Sequence, residues 1–220
     1  MKLLLNATFL TAATFAIAHP TQAAQVKEVT FESQGKTLVG DLYLPDNYVE
    51  GQELPGIVVT GSWTSVKEQM SGLYAEQLAD QGFAALAFDF RHFGESEGNI
   101  RGFENPTLKI EDIQAAATFL PTLPEVADDQ IGGVAVCASA GYMAHAIANN
   151  APFNSFVTIA AWLHNTETAR TIYTPERYDR LNTASQQATD KYATAGTNQY
   201  PVATTTDDTT TKNTTTETNT

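Results

Sequence analysis

The chain has 220 residues, 42% of them hydrophobic, which is enough for one domain around one sizeable core. Its formal charge of −13 at pH 7 would repel nucleic-acid phosphates and anionic lipid headgroups, so neither is expected as a partner. A single cysteine, Cys137, rules out an intrachain disulfide. No pair of histidines or cysteines has metal-ligand spacing, so neither metal nor cofactor is expected.

The chain opens on MKLLLNATFLTAATFAIAHPTQAAQ: one basic residue, an apolar stretch to Ala18, then small residues. Residues 1–23 read as a secretory signal peptide, which places the mature protein in the periplasm or outside the cell. Cleavage fits after Ala18 or after Ala23, and the second leaves a polar start before the first strand; a buried N-terminal helix is the competing reading. No later run approaches the roughly 20 apolar residues of a membrane span, so the mature chain is expected to be soluble and without an anchor.

Val26 to Glu32 and Thr37 to Leu44 alternate as two strands around a turn at Ser33, Gln34 and Gly35, an antiparallel hairpin. Gly56 to Thr60 and Ala84 to Phe88 are continuous apolar runs, the signature of central parallel strands covered on both faces. Between them, Lys67 to Gln81 carries Met70, Leu73, Tyr74 and Leu78 at helical spacing, with Gly82 as C-cap. A second helix starts at Asn105-Pro106, an N-cap followed by proline, and Pro121 and Pro124 end it. Ile131 to Val136 as strand, Ser139 to Asn149 as helix and Ser155 to Ala161 as strand complete a third unit. The alternation predicts a doubly wound, mainly parallel α/β sheet over residues 24–200. Tyr178 to Tyr192 reads as a polar surface helix, and the threonine-rich residues 201–220 as a disordered tail.

Chemistry concentrates where the third unit turns from strand to helix. In VAVCASAGYMA, Ser139 follows a buried strand between Ala138 and Ala140, with Cys137 and Gly141 two residues away on either side. Small residues let the backbone turn sharply and present a nucleophile at the sheet edge, where the helix N-terminus faces developing negative charge. Ser139 serves equally well as an N-cap. Cys137 is the alternative nucleophile, with Ala135 and Ser139 as its small neighbours, or else inert buried packing.

Three segments in order, TGSWTSVKEQ, FDFRHFGESEG and VCASAGYMA, resemble the α/β-hydrolases related to dienelactone hydrolase, over roughly Val26 to Asn165. The stretch from Asp89 to Ser96 is similar to the D-x-R-G-x-G-x-S signature of that superfamily, with His92 where glycine is usual. The resemblance implies an α/β-hydrolase-type sheet with an N-terminal antiparallel hairpin. It implies Ser139 as nucleophile and an oxyanion hole formed by the amides of Ala140 and of Ser62 or Trp63. Trp63 is equally readable as packing, and Asp89 and Arg91 as structural.

The superfamily places its acid and histidine late in the chain, and here no histidine follows His164. His164 ends the strand beside the elbow strand, about 4.8 Å away, and is the candidate base; a locally bonded loop histidine is the other reading. Glu167, Glu176 and Asp179 are candidate orienting acids. The last strand-helix units of the fold are expected to be missing, leaving a sheet edge open to pairing with a second copy. The expected function is hydrolysis of carboxylic esters or related acyl compounds, with a small-molecule acyl substrate. The alternative is a catalytically incomplete member that binds a small molecule or partner.

Overall fold

The structure is a computed structural model and describes residues 24–195. The expected signal segment and threonine-rich tail lie outside the described residues. Strands β1 (Gln25–Ser33) and β2 (Lys36–Leu44) form the expected hairpin, joined through Gln34 and Gly35, both with positive φ. That twist suits a two-residue hairpin turn. β3 (Leu54–Thr60), helix α1 (Met70–Ala79) and β4 (Ala84–Phe88) follow, then α2 (Pro106–Phe119), β5 (Val126–Val136), α3 (Ser139–Ala148) and β6 (Ser155–Ile159). Two further helices, α4 (Thr166–Ile172) and α5 (Pro175–Ala195), close the described chain. Among the described residues, no helix is long and apolar enough to cross a membrane.

The six strands make one mixed sheet in the order β1-β2-β4-β3-β5-β6. β2 runs antiparallel to β4, while β3, β4, β5 and β6 pair in parallel. All residues of β4 are buried, because the sheet is covered on both faces. Leu86 and Phe88 turn toward the larger core, which holds Ile113, Ala116 and Met143 from α2 and α3; Ala85 and Ala87 turn toward Ala75 of α1. At Gly133, an added Cβ would collide with the Met143 sulfur, so glycine there lets α3 settle close against β5.

Local signals place the second helix as read. The Asn105 side chain accepts hydrogen bonds from the amides of Thr107 and Leu108, at 3.0 and 3.3 Å. β5 begins earlier than the apolar run suggests, at Val126 rather than Ile131. Leu54 pairs with Val126 but Gly56 with Ile131, so the extra residues of β5 bulge and leave Asp128, Asp129 and Gln130 in water. β6 stops at Ile159 rather than Ala161, where Ala160 takes a positive φ. β6 is an edge strand, and its Val157 is 55% exposed.

The loop after β4 is fixed by buried charge. The Arg91 guanidinium donates to Asp112 of α2 through Nε (2.8 Å) and Nη2 (2.6 Å), and to the Ser33 hydroxyl of the hairpin at 2.8 Å. The Arg91 amide donates to the other Asp112 oxygen at 3.0 Å. Asp112 is fully buried, so removing it strands a charge. Asp112→Ala should lower the unfolding free energy by about 3–5 kcal/mol. Glu111→Ala, which removes the outer and partly exposed partner of Arg91, should cost about 1 kcal/mol or less. Urea denaturation of both variants checks the contrast.

Candidate active site

β5 ends at Val136, and the chain turns at Cys137, whose φ is 56°. A side chain in that left-handed region costs about 1–3 kcal/mol and persists only where its surroundings impose it. Here they do. The Cys137 amide donates to the Ile159 carbonyl at 3.0 Å, and its own carbonyl accepts from Trp162 (2.9 Å) and Ala140 (3.2 Å). Cys137 is thus pinned between β6, the loop after it, and the first turn of α3, and it is partly exposed.

Ser139 is placed differently. It is the first residue of α3, is 0% exposed, and its hydroxyl is buried with no hydrogen-bond partner. It does not cap the helix either, since the N-cap is Ala138 and carries no capping bond. Ala140 is fully buried and its amide is committed to the Cys137 carbonyl, so it cannot turn outward as an oxyanion donor. The amide directly after the partly exposed turn residue belongs to Ala138 instead.

The loop after β3 stands beside this turn, since Thr60 pairs with Ala135. Ser62 is half-buried, and its carbonyl accepts from the Ser65 amide and hydroxyl at 3.3 and 2.7 Å. Trp63 is 46% exposed rather than packed, and Thr64 takes a φ of 57°. The amide of Thr64 donates to Glu104 Oε2 at 3.2 Å. Glu104 Oε1 accepts from the Tyr142 hydroxyl of α3 at 3.0 Å, and Oε2 from the Lys109 ammonium of α2 at 2.8 Å. Burial raises the Tyr142 pKa, and both Glu104 and Cys137 add to that rise.

His164 sits on the loop after β6, exposed, its ring edge-on to Trp162 at 4.0 Å. Glu167, Glu176 and Asp179 are all exposed on α4 and α5, and none is hydrogen-bonded to His164. Of the four loops at the carboxyl ends of the parallel strands, three carry exposed large apolar residues: Trp63, Phe103, and Trp162 with Leu163. They rim the edge that holds Cys137.

Asp89 and Arg91 take the structural roles read from the sequence. Asp89 is fully buried, accepts from the Lys67 and Glu95 amides (2.8 and 2.9 Å), and burial pushes its carboxyl pKa up. An added Cβ at Gly94 would run into that carboxylate, which is why the signature needs glycine there. His92, at the signature's usual glycine, has a φ of 75°. Its Nδ1 accepts from the Ile100 amide, and burial, then Arg91, lower its pKa. Glu68, Asp89 and Glu95 bring carboxylate oxygens within 4.8 Å of one another. That position is served by the Lys67 ammonium, which bonds Glu68 at 2.7 Å and Glu95 at 2.9 Å.

Sequence spacing contained the signal for Cys137, with small residues at 135 and 139, but could not rank it above Ser139. Glu104 belongs to no recognisable motif, and nothing in its sequence neighbourhood singles it out.

No protein-family model matches the chain. It is 43% identical over 133 residues to the uncharacterised protein PA2218 of Pseudomonas aeruginosa, covering 60% of this chain and 36% of that protein. It is 37% identical over 98 residues to the thiohydrolase aneE of Aspergillus aculeatus, covering 44% of this chain and 29% of that protein. The chain thus spans about a third of these curated relatives. The crystal structure of PA2218 matches with a TM-score of 0.71 and 34% identity, over 89% of this chain and 63% of that one. The α/β hydrolase GrgF of Penicillium sp. sh18 matches with a TM-score of 0.68 and 20% identity, over 80% and 57% of the two chains. P91, a dienelactone hydrolase-like promiscuous phosphotriesterase from metagenomic libraries, matches with a TM-score of 0.55 and 21% identity, over 67% and 64%.

The turn geometry is testable without any substrate. Cys137→Gly and Cys137→Ala both remove the thiol, but only glycine adopts a positive φ freely. Cys137→Gly should be the more stable of the two by about 1 kcal/mol, read as thermal melting. An equal or higher melting temperature for Cys137→Ala would remove the strain.

Proposed function

On this α/β-hydrolase fold, which fits the α/β-hydrolase superfamily and has dienelactone-hydrolase-like proteins among its structural neighbours, we propose a hydrolase of carboxylic esters or thioesters whose nucleophile is Cys137. The observation that carries the reading is the strained, partly exposed turn residue at the carboxyl end of β5, directly before a helix N-terminus. A sulfur held there can reach a bound carbonyl, while Ser139 is sealed beneath it. Cysteine is nucleophilic as the thiolate.

In this mechanism His164 accepts the thiol proton, and the thiolate sulfur bonds to the carbonyl carbon. The carbonyl electron pair moves onto oxygen, where the Ala138 amide and an amide of the Ser62–Trp63 loop would stabilise it. Collapse expels the alkoxide or thiolate, which takes up a proton from His164, and water then cleaves the acyl-cysteine. The exposed apolar rim of Trp63, Phe103, Trp162 and Leu163 supports an acyl group with substantial apolar surface. The name of the aneE relative supports including thioesters.

A second reading, binding without turnover, is favoured by the exposed position of His164 and its lack of a hydrogen-bonded acid. Export through residues 1–23 remains part of the proposal, tested by N-terminal sequencing of the protein recovered from the medium or periplasm.

The deciding comparison is hydrolysis of a short-chain p-nitrophenyl ester and an acyl thioester by wild type, Cys137→Ala, Ser139→Ala and His164→Ala. Cys137→Ala should lose turnover by at least about a hundredfold, and Ser139→Ala should stay within a few-fold of wild type. The opposite ranking would restore the serine as nucleophile. Ligand-induced stabilisation with no turnover in wild type would favour the binding reading.

A further inference from the structure

The mechanism above leaves one nearly dry polar cluster unused. Lys109 is 1% exposed, and its ammonium lies 4.4 and 4.5 Å from the Phe90 and Phe93 ring centroids and 5.9 Å from that of Tyr142. Aromatic faces attract a cation but do not neutralise it, so a buried ammonium needs an anion as well. Glu104 is the carboxylate bonded to it, at 2.8 Å.

The Glu104 carboxylate does more than balance that charge. Its two oxygens gather three donors from three separate parts of the fold: the Lys109 ammonium of α2, the Tyr142 hydroxyl of α3, and the Thr64 amide in the loop after β3. Tyr142 lies one turn into the helix that begins after Cys137, and Thr64 directly follows Ser62 and Trp63. Lys109 and Tyr142 come from helices packed against the same core, so they supply rigid anchors. The loop contributes a strained residue, Thr64, that needs a reason to stay in place.

We propose that Glu104 is a positioning residue that ties the Ser62–Thr64 loop to the elbow helix and so fixes the loop's amides at oxyanion distance from the carbonyl attacked by Cys137. The assignment deepens the acyl-hydrolase reading and, for its effect on rate, rests on it. Displacing a preorganised donor by a fraction of an ångström weakens transition-state binding more than substrate binding. Lys109 orients the carboxylate, and Tyr142 holds its second oxygen.

The test is Glu104→Gln, which keeps the volume but leaves too few acceptor sites for three donors, beside Tyr142→Phe, which removes one bond without touching a buried charge. A thermal melt establishes that each variant is folded. Two readouts follow: amide hydrogen exchange at Trp63 and Thr64, and kcat and KM on the p-nitrophenyl ester. The tether predicts faster exchange at Thr64 in Glu104→Gln, with kcat lowered roughly 10- to 100-fold and KM within a few-fold of wild type. Tyr142→Phe should show a smaller change of the same kind. Unchanged exchange overturns the tether, and faster exchange with unaltered kcat overturns its positioning role. If wild type shows no turnover, the hydrolase reading fails by itself, and the Thr64 exchange rate alone then supports or overturns the tether.

Discussion

Five ionic side chains, Lys67, Asp89, Arg91, Lys109 and Asp112, lie out of water around the carboxyl edge of this sheet, and the need to pair them shapes the loops after β3 and β4. Lys67 draws in Asp41, Glu68 and Glu95; Asp89 collects two loop amides; Arg91 binds Asp112; Lys109 binds Glu104. A buried ion without a partner would cost more than most packing contacts return. The loops after β3 and β4 therefore have little freedom: each is pulled toward a charge on a neighbouring element. The elbow after β5 stands directly beside the loop after β3.

Rigidity of this kind is what a strained backbone requires. Cys137 holds a positive φ because Ile159, Trp162 and Ala140 all bond to its peptide groups. The result is one side chain raised above the sheet edge with a helix N-terminus beneath it. The relatives matched by sequence are longer than this chain, and the loop after β6 that carries His164 bonds the elbow through the Trp162 amide.

Much of the architecture was legible because local chemistry and burial agree. The hairpin turn at Gln34-Gly35, the Asn105-Pro106 helix start and the apolar runs of β3 and β4 each carry a signal that tertiary packing reinforces. β5 was legible only from Ile131, because its first turn of strand bulges polar residues into water. The site was less legible. Whether the turn falls at Cys137 or two residues later depends on where β5 stops pairing with β6, a long-range fact. With alanines on both sides of Ser139, small neighbours could not discriminate. Glu104 could not be found from sequence, since its partners lie on three elements distant along the chain. The signature glycine at 94 was readable, and the structure supplies its cause in the carboxylate of Asp89.

The sheet order carries a kinetic consequence. β1 and β2 meet through a two-residue turn, but β5 must find β3 across α1, β4 and α2, and β6 can only dock afterwards. Closing such long loops precedes any reward from the contacts they make, so the hairpin should form early and the β3–β5–β6 seam late. Until that seam closes, nothing imposes the turn at residue 137, and the thiol sits on relaxed backbone like that of any unfolded chain. The special geometry at Cys137 is thus among the last features to appear on folding and among the first to vanish when the edge of the sheet loosens.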